Sequence, residues 1–418
     1  MSHNTLIGGT SYEITGGRTL VDGTGYDVTS GRTLIGGTGY DISFGAREPV
    51  YAVLYTDYSL VFQNNSSAIS GKTMKACYEN VENTNYTTLN TIPWYNYKND
   101  LTSVTFDTEI RPISISYWFY DSRKISINLN NFSNLNLSET TSMHHTFYFA
   151  GEKSYGFIGS PICGDKITDM STAYYYGKNL SGNPVCGNNV INMSQAYSLC
   201  WNLTGPPVCG NKVENMHGTY STCYRITGSP VCGTNVVDFS FAYSECYNLT
   251  GAPVCGSKVT NMSNTYYWCR NLTGAPVCGS NVTNMYGTYA GCSGLTGSPV
   301  CGSKVTSMAY TYYDCYKLTG SPVCKNKVTN VAYAYYSCKN IIKGTIKWYA
   351  KNITNACNCF GNKNVFVKFN IYVVANSKTL NTFLINNTKS IVGKNITWTQ
   401  DGTKYYNTAY NIYIYATL

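Results

Sequence analysis

Eighteen cysteines are the residues of this chain most able to do chemistry, and fifteen of them fall at two fixed phases of a 23-residue spacing. One file runs Cys163, Cys186, Cys209, Cys232, Cys255, Cys278, Cys301 and Cys324; the other runs from Cys200 through Cys223, Cys246, Cys269, Cys292 and Cys315 to Cys338. A metal needs thiolates converging on one point at about 2.3 Å, whereas a file spreads them along a line. Disulfides between neighbouring copies would leave odd members and require an oxidising compartment. Free, buried, structural thiols are the favoured reading. Cys357 with Cys359, and His144 with His145, lack partners at any recognisable spacing, so neither a metal nor another cofactor is expected.

Two further sets of residues repeat with the cysteines. Three positions after each first cysteine the copies read Lys166, Asn189, Lys212, Asn235, Lys258, Asn281, Lys304 and Lys327. Alternation with Asn roughly doubles the separation of like charges towards a Debye length of about 10 Å. This basic edge is expected to be solvated and to block side-by-side aggregation, with an anionic glycan site as the alternative. The residues flanking the second cysteine change between copies on an otherwise constant frame, which is where recognition would be placed. Trp201, Tyr224, Tyr247, Trp268, Arg270 and Tyr316 form the candidate recognition face, since aromatic side chains can stack on sugar rings or on protein surfaces; edge packing is the competing reading. Catalysis has no support: the chain lacks a Gly-x-Ser-x-Gly elbow, a phosphate loop and a plausible carboxylate pair, and it has only four histidines. No enzyme is expected.

The elements that must hold these residues follow from one copy, Leu272-Thr273-Gly274-Ala275-Pro276-Val277-Cys278-Gly279, then Val282, Met285, Tyr289 and Cys292. Leu272, Ala275 and Val277 have the spacing of inward residues on a strand, and Val282, Met285 and Tyr289 return to the interior. Eight copies in register predict a solenoid. Eight aligned prolines, Pro161 to Pro322, cannot donate to a parallel ladder, so the sheet should be short. Stacking at about 4.8 Å per copy would set Tyr174, Tyr197, Tyr220 and their successors in a spine. Only 12% of residues are charged, 40 are Tyr, and a net charge of +9 is spread without any dense Lys/Arg run. A nucleic-acid groove is therefore not expected. No run approaches a membrane span, and the polar start Met1-Ser2-His3-Asn4 predicts no standard signal peptide.

Residues 5–45 hold a second repeat, of 14 residues: Thr5-Leu6-Ile7-Gly8-Gly9-Thr10, Thr19-Leu20-Val21-Asp22-Gly23-Thr24 and Thr33-Leu34-Ile35-Gly36-Gly37-Thr38. Each copy reads as strand, glycine turn, strand, with Gly16-Gly17 and Ser30-Gly31 turning the chain between copies. Three hairpins bury too little to stand alone, so residues 1–45 are expected to anchor the chain to another copy or a larger assembly. Residues 46–100 read as an N-terminal β cap, 101–345 as the repeat array, and 346–418 as a C-terminal, antiparallel β cap.

The array, with Asn261-Met262-Ser263-Asn264-Thr265-Tyr266-Tyr267-Trp268-Cys269 as its nearest echo, resembles the BspA-like leucine-rich repeats over residues 100–345. The resemblance implies a mainly β leucine-rich-repeat-like solenoid and a binding role. The short N-terminal Thr-Leu-Ile-Gly-Gly-Thr-x-Tyr-x-Ile units resemble those opening virion-associated proteins of phages that infect gut Firmicutes. Together they imply a non-enzymatic virion protein, a fibre or spike of tail or capsid. It would assemble in the bacterial cytoplasm as a homo-oligomer, be joined to other virion proteins through residues 1–45 and be released by lysis, with a host-surface glycan or protein as partner and no membrane insertion. The alternative is a BspA-like adhesin on a bacterial cell surface.

Overall fold

A computed structural model describes residues 48–341 without interruption, six strands before them, and 345–348, 352–355, 358–359, 369–373, 398–402, 404–407 and 412–416 after them. The chain divides into two compact units, Met1–Pro49 and Val50–Leu418. In the first, β1 (His3–Ile7) pairs antiparallel with β2 (Thr10–Ile14), β3 (Arg18–Val21) with β4 (Thr24–Asp27), and β5 (Gly31–Ile35) with β6 (Thr38–Ile42). Each pair is a separate two-stranded sheet. Gly8-Gly9, Asp22-Gly23 and Gly36-Gly37 lie between the paired strands, and such dipeptides suit two-residue hairpin connections. Gly31, expected in a turn, instead pairs with Ile42 at the start of β5.

The second unit opens with a four-stranded sheet of order β10-β8-β7-β9: β7 (Tyr51–Tyr55), β8 (Ser59–Gln63), β9 (Met74–Tyr78) and β10 (Ser103–Phe106). β10 comes from beyond the expected boundary at residue 100 and runs parallel to β8. Its Phe106 stacks on Phe62, which also stacks on Trp118 at 5.0 Å. The buried Trp94 indole donates to the Trp118 carbonyl at 2.7 Å, so this polar group enters the core with a partner. The sheet and the first repeating units therefore share one core.

Parallel bridges then link Ser114, Ser142, Asp169, Asn192 and Asn215 in succession, onwards to Asn330 and Asn355. The first intervals are 28 and 27 residues, those from Asp169 to Asn330 are 23, and the last, from Asn330 to Asn355, is 25. On another side, β11 (Ile127–Asn128), β12 (Phe157–Gly159) and β13 (Asn179–Leu180) form a three-stranded parallel sheet. Past Leu180 and up to Ile341 this side carries no further strand; single bonds such as Thr273 N–H to the Gly251 carbonyl, 2.9 Å, take its place. The proline of each copy, lacking an N–H, cannot continue the ladder. This also corrects the expected inward set. Leu272 is fully buried, but Ala275 is exposed, Val277 is half-buried, and Pro276 is the buried residue between them.

The segment from Met262 to Trp268 is the strongest link between copies. Met262, Asn264, Tyr266 and Trp268 donate N–H groups to carbonyls 22 residues onward, at 2.6–3.0 Å, while Thr265 and Tyr267 close turns within the copy. Asn264 and Trp268 accordingly take left-handed backbone, φ 52° and 59°. The last sheet has order β14-β15-β18-β17-β16, from β14 (Thr345–Trp348), β15 (Phe369–Val373), β16 (Thr399–Asp401), β17 (Lys404–Asn407) and β18 (Ile412–Ala416). It is mixed, not antiparallel as expected, because β14 and β18 both run parallel to β15. The connections 349–368 and 374–411 are long enough for the crossovers that parallel pairs demand. The protein is mainly β, with short 3-10 turns such as Leu89–Thr91 and Leu129–Asn131, and among the described residues no helix is long and apolar enough to cross a membrane.

Candidate functional site

The constant positions of the repeat are all engaged in scaffold. Rings from Tyr174 to Tyr335 stack at 5.3–5.8 Å with interplanar angles of 4–16°. These centroid distances exceed the expected 4.8 Å. Each phenol also grips the loop of its own copy: Tyr266 donates to the Val254 carbonyl at 2.8 Å and accepts the Val254 N–H at 3.0 Å. Burial pushes the Tyr266 phenol well above its ordinary pKa, so it remains a donor. Val259, Met262, Leu272 and Cys269 complete the interior of that copy, fully buried.

Both cysteine files consist of free thiols among the described residues; Cys357 lies outside them. Cys269 donates to the Tyr243 carbonyl at 3.0 Å, and every thiol of that file from Cys200 to Cys338 makes the same bond, 26 residues back, at 2.9–3.1 Å. The other file packs against glycine: a Cβ on Gly279 would sit 2.9 Å from the Cys255 sulfur and 3.1 Å from the Gly256 carbonyl oxygen. Burial raises the thiol pKa values, to about 11 at Cys255 and about 12 at Cys232, so these sulfurs are poor nucleophiles.

The Lys/Asn alternation is a hydrogen-bonded chain. Lys212, Lys258 and Lys304 donate to the side chains of Asn189, Asn235 and Asn281 at 2.6–2.7 Å, and each Asn donates to a backbone carbonyl 24 residues back. Lys166 pairs with Glu139 at 2.6 Å; Lys327 is exposed. Amide and ammonium are complementary here, a reason for alternation that charge spacing alone did not supply. His144 and His145 also gain partners from the next unit, Ser171 and Thr172, with Asp169 at 3.8 Å from His144. Their side chains meet only because the copies stack.

Of the predicted recognition residues, Trp201, Tyr224 and Tyr247 form a continuous file, with centroids 5.9 and 5.1 Å apart. Cations close both ends: Lys178 lies 4.4 Å from the Trp201 ring, and the Arg270 guanidinium lies 5.3 Å from the Tyr247 ring. Burial and a hydrogen bond to Glu245 at 2.9 Å hold the Tyr247 phenol up at about 12. Tyr316 stands apart, 40% exposed under Lys339, because the intervening copy has Ser293 at this phase. Trp268, just before Cys269, is not part of that file. Its ring lies over Gly291, where a Cβ would come within 2.7 Å, while Arg270 still reaches it at 4.8 Å.

Trp268 also borders a groove of about 740 Å³ which the sequence reading missed. Tyr267, Trp268 and Tyr286 line one part of it and Tyr310, Tyr313 and Tyr333 another, with Gly287 and Ala290 between. Tyr310 and Tyr333 stack at 4.8 Å, and Tyr286 is 43% exposed. The signal was present two residues before the second cysteine, where successive copies read Ser244, Tyr267, Ala290, Tyr313 and Tyr336. Among the described residues no group of three or more His, Cys, Asp and Glu is placed to hold a metal ion.

No family model matches the chain, and no curated protein matches it. Among solved structures, the chain is similar to a leucine-rich repeat protein from Eubacterium ventriosum, with 15% identity, 76% of this chain and 94% of that chain covered, and a TM-score of 0.32.

Proposed function

We propose that residues 101–345 form a leucine-rich-repeat-like solenoid of 23-residue turns, closed by β caps at 46–100 and 346–418, and that it serves as a non-enzymatic binding rod. The observation carrying this reading is the division of labour within each copy. Leu, Val, Met, Tyr and Cys are consumed by packing and by bonds to neighbouring copies, whereas the positions that vary collect into aromatic surface. The rod is mounted on a virion as a tail or capsid fibre, anchored by the three hairpins of residues 1–45. The BspA-like and virion-protein resemblances of the two repeats support this, as does the small size of the separate hairpin sheets, each of which needs something to pack upon.

The test separates location from binding. Particles released by lysis and cell envelopes from the same culture are fractionated and probed for this chain by mass spectrometry. Enrichment in particles, lost on deletion of residues 1–45, is expected; enrichment in envelopes alone would make it a surface adhesin. Substituting Trp201, Tyr224 and Tyr247 with Ala together should weaken adsorption to host cells, and unaltered adsorption removes that face from recognition.

A further inference from the structure

We propose that the groove between Trp268 and Tyr310 is a binding site for a neutral oligosaccharide. This assignment rests on reading the array as a binding surface, but not on what carries the array. The groove arises where one copy drops its side chains: Gly287, Ala290 and Gly291 stand where the adjoining copies carry Asn264 or Tyr310, Tyr267 or Tyr313, and Trp268 or Asp314. The dip is therefore a built feature of one copy, walled by its neighbours. Its volume of about 740 Å³ lies within the roughly 300–1,000 Å³ of small-ligand sites.

The lining selects the ligand class. A pyranose offers an apolar C–H face and a polar hydroxyl rim, and the groove is lined by the aromatic residues Tyr286, Tyr310 and Trp268 together with the polar Asn264, Ser221 and Ser244. Glu245 is the one charged residue in the lining and already accepts the Tyr247 hydroxyl, and the nearby Arg270 guanidinium is taken up against the Tyr247 and Trp268 rings, so the lining itself favours an uncharged sugar. A peptide strand finds no backbone edge. The N–H groups of Asn264, Trp268, Gly287 and Gly291 all donate to carbonyls of the following copy, and those of Tyr267 and Ala290 close turns within their own. The walls are also rigid, held by those same bonds and by the Tyr310–Tyr333 stack, so little ordering remains for the ligand to impose.

The experiment uses the full chain on an array of immobilised neutral and anionic oligosaccharides, with amphipathic peptides as controls. Substitutions are drawn from other copies so that the fold tolerates them: Ala290→Tyr, as at Tyr267 and Tyr313, fills the dip, and Tyr286→Ser, as at Ser240 and Ser263, removes a wall. Retention of a neutral glycan, competed by the free sugar and reduced at least tenfold by each substitution with circular dichroism unchanged, is the expected result. Retention of anionic glycans or peptides only, of no glycan, or equally by wild type and Ala290→Tyr would overturn it. A Trp201→Ala, Tyr224→Ala double variant, which leaves the Tyr247 hydroxyl on Glu245, should bind the array sugar normally, so failure of the groove and failure of the outer aromatic face are read separately.

Discussion

Tyr266→Phe isolates what the spine hydroxyl does. A phenyl ring fits the stack, since Phe147 occupies the corresponding place before Tyr174 with its ring 5.4 Å away and 14° from parallel. What the substitution removes is one oxygen that accepts from the Val254 N–H and donates to the Val254 carbonyl, at 3.0 and 2.8 Å. Leaving a buried backbone group unpaired costs about 1–3 kcal/mol. Val254 is half-buried, so water reaches part of it and the lower end applies to each group, about 2 kcal/mol in all. At 1.4 kcal/mol per tenfold, the loop around Pro253, Val254 and Cys255 should open about 25-fold more often. Because an array contacts only its neighbours, the effect stays local and shifts global melting little. Hydrogen exchange followed by mass spectrometry on a peptide spanning residues 250–258 reads it directly. Tyr267→Phe is the control, its ring lying in the groove lining on the outer side. Val254 exchange changed less than twofold by Tyr266→Phe, or changed equally by Tyr267→Phe, refutes the stapling role.

Three other outcomes follow from the same geometry. Gly279→Ala should destabilise by about 1–3 kcal/mol through the clash with the Cys255 sulfur, and Cys255→Ala should recover part of that loss in a double-mutant cycle measured by urea unfolding. Cys269→Ala, which removes a fully buried thiol and its bond to the Tyr243 carbonyl, should cost about 1–2 kcal/mol; in the intact protein the Cys200–Cys338 file should resist iodoacetamide until denaturant is added. Acid should weaken the N-terminal part of the array. Burial, with His144 beside it, lowers the His145 pKa to about 4, so the unfolded chain takes up this proton first as pH falls. The histidine's contribution is complete above about pH 6.5 and is lost down to about 4, and His145→Gln should flatten the melting temperature across that window.

How much of this was legible depended on whether a residue acts within its own copy or across copies. The core was readable because Val259, Met262, Tyr266 and Cys269 recur at fixed phases and each simply points inward. The inward strand was not, because the pattern Leu272, Ala275, Val277 assumes an extended ladder, and Pro276 removes the donor that such a ladder requires. Nor were the partners of Lys212 and His144 visible, since Asn189 and Ser171 lie 23 and 27 residues away and meet them only through stacking. The aromatic surface was legible only in part. Trp201, Tyr224 and Tyr247 stood out as aromatic, whereas the groove is defined by what is missing at Gly287 and Ala290, and an absence attracts notice only once its neighbours are seen to surround it.

The backbone itself singles out these variable positions. Glu245, Trp268 and Asp314 hold φ values of 57–60°, and Phe241, Asn264 and Tyr310 hold 52–58°, in the left-handed region that side chains with a Cβ disfavour. Glycine fits both places, as Gly287 and Gly291 demonstrate at φ 60° and 76°. Each non-glycine residue there carries strain of the order of 1 kcal/mol that the scaffold does not require. Phe241 is also 37% exposed, so core packing does not account for its ring. Under the binding role proposed above, side chains that differ in chemistry from copy to copy at positions where glycine would relieve the backbone are the ones expected to meet a partner. On that proposal recognition falls on the ribbon from Met to Cys, whether the rod stands on a particle or on a cell.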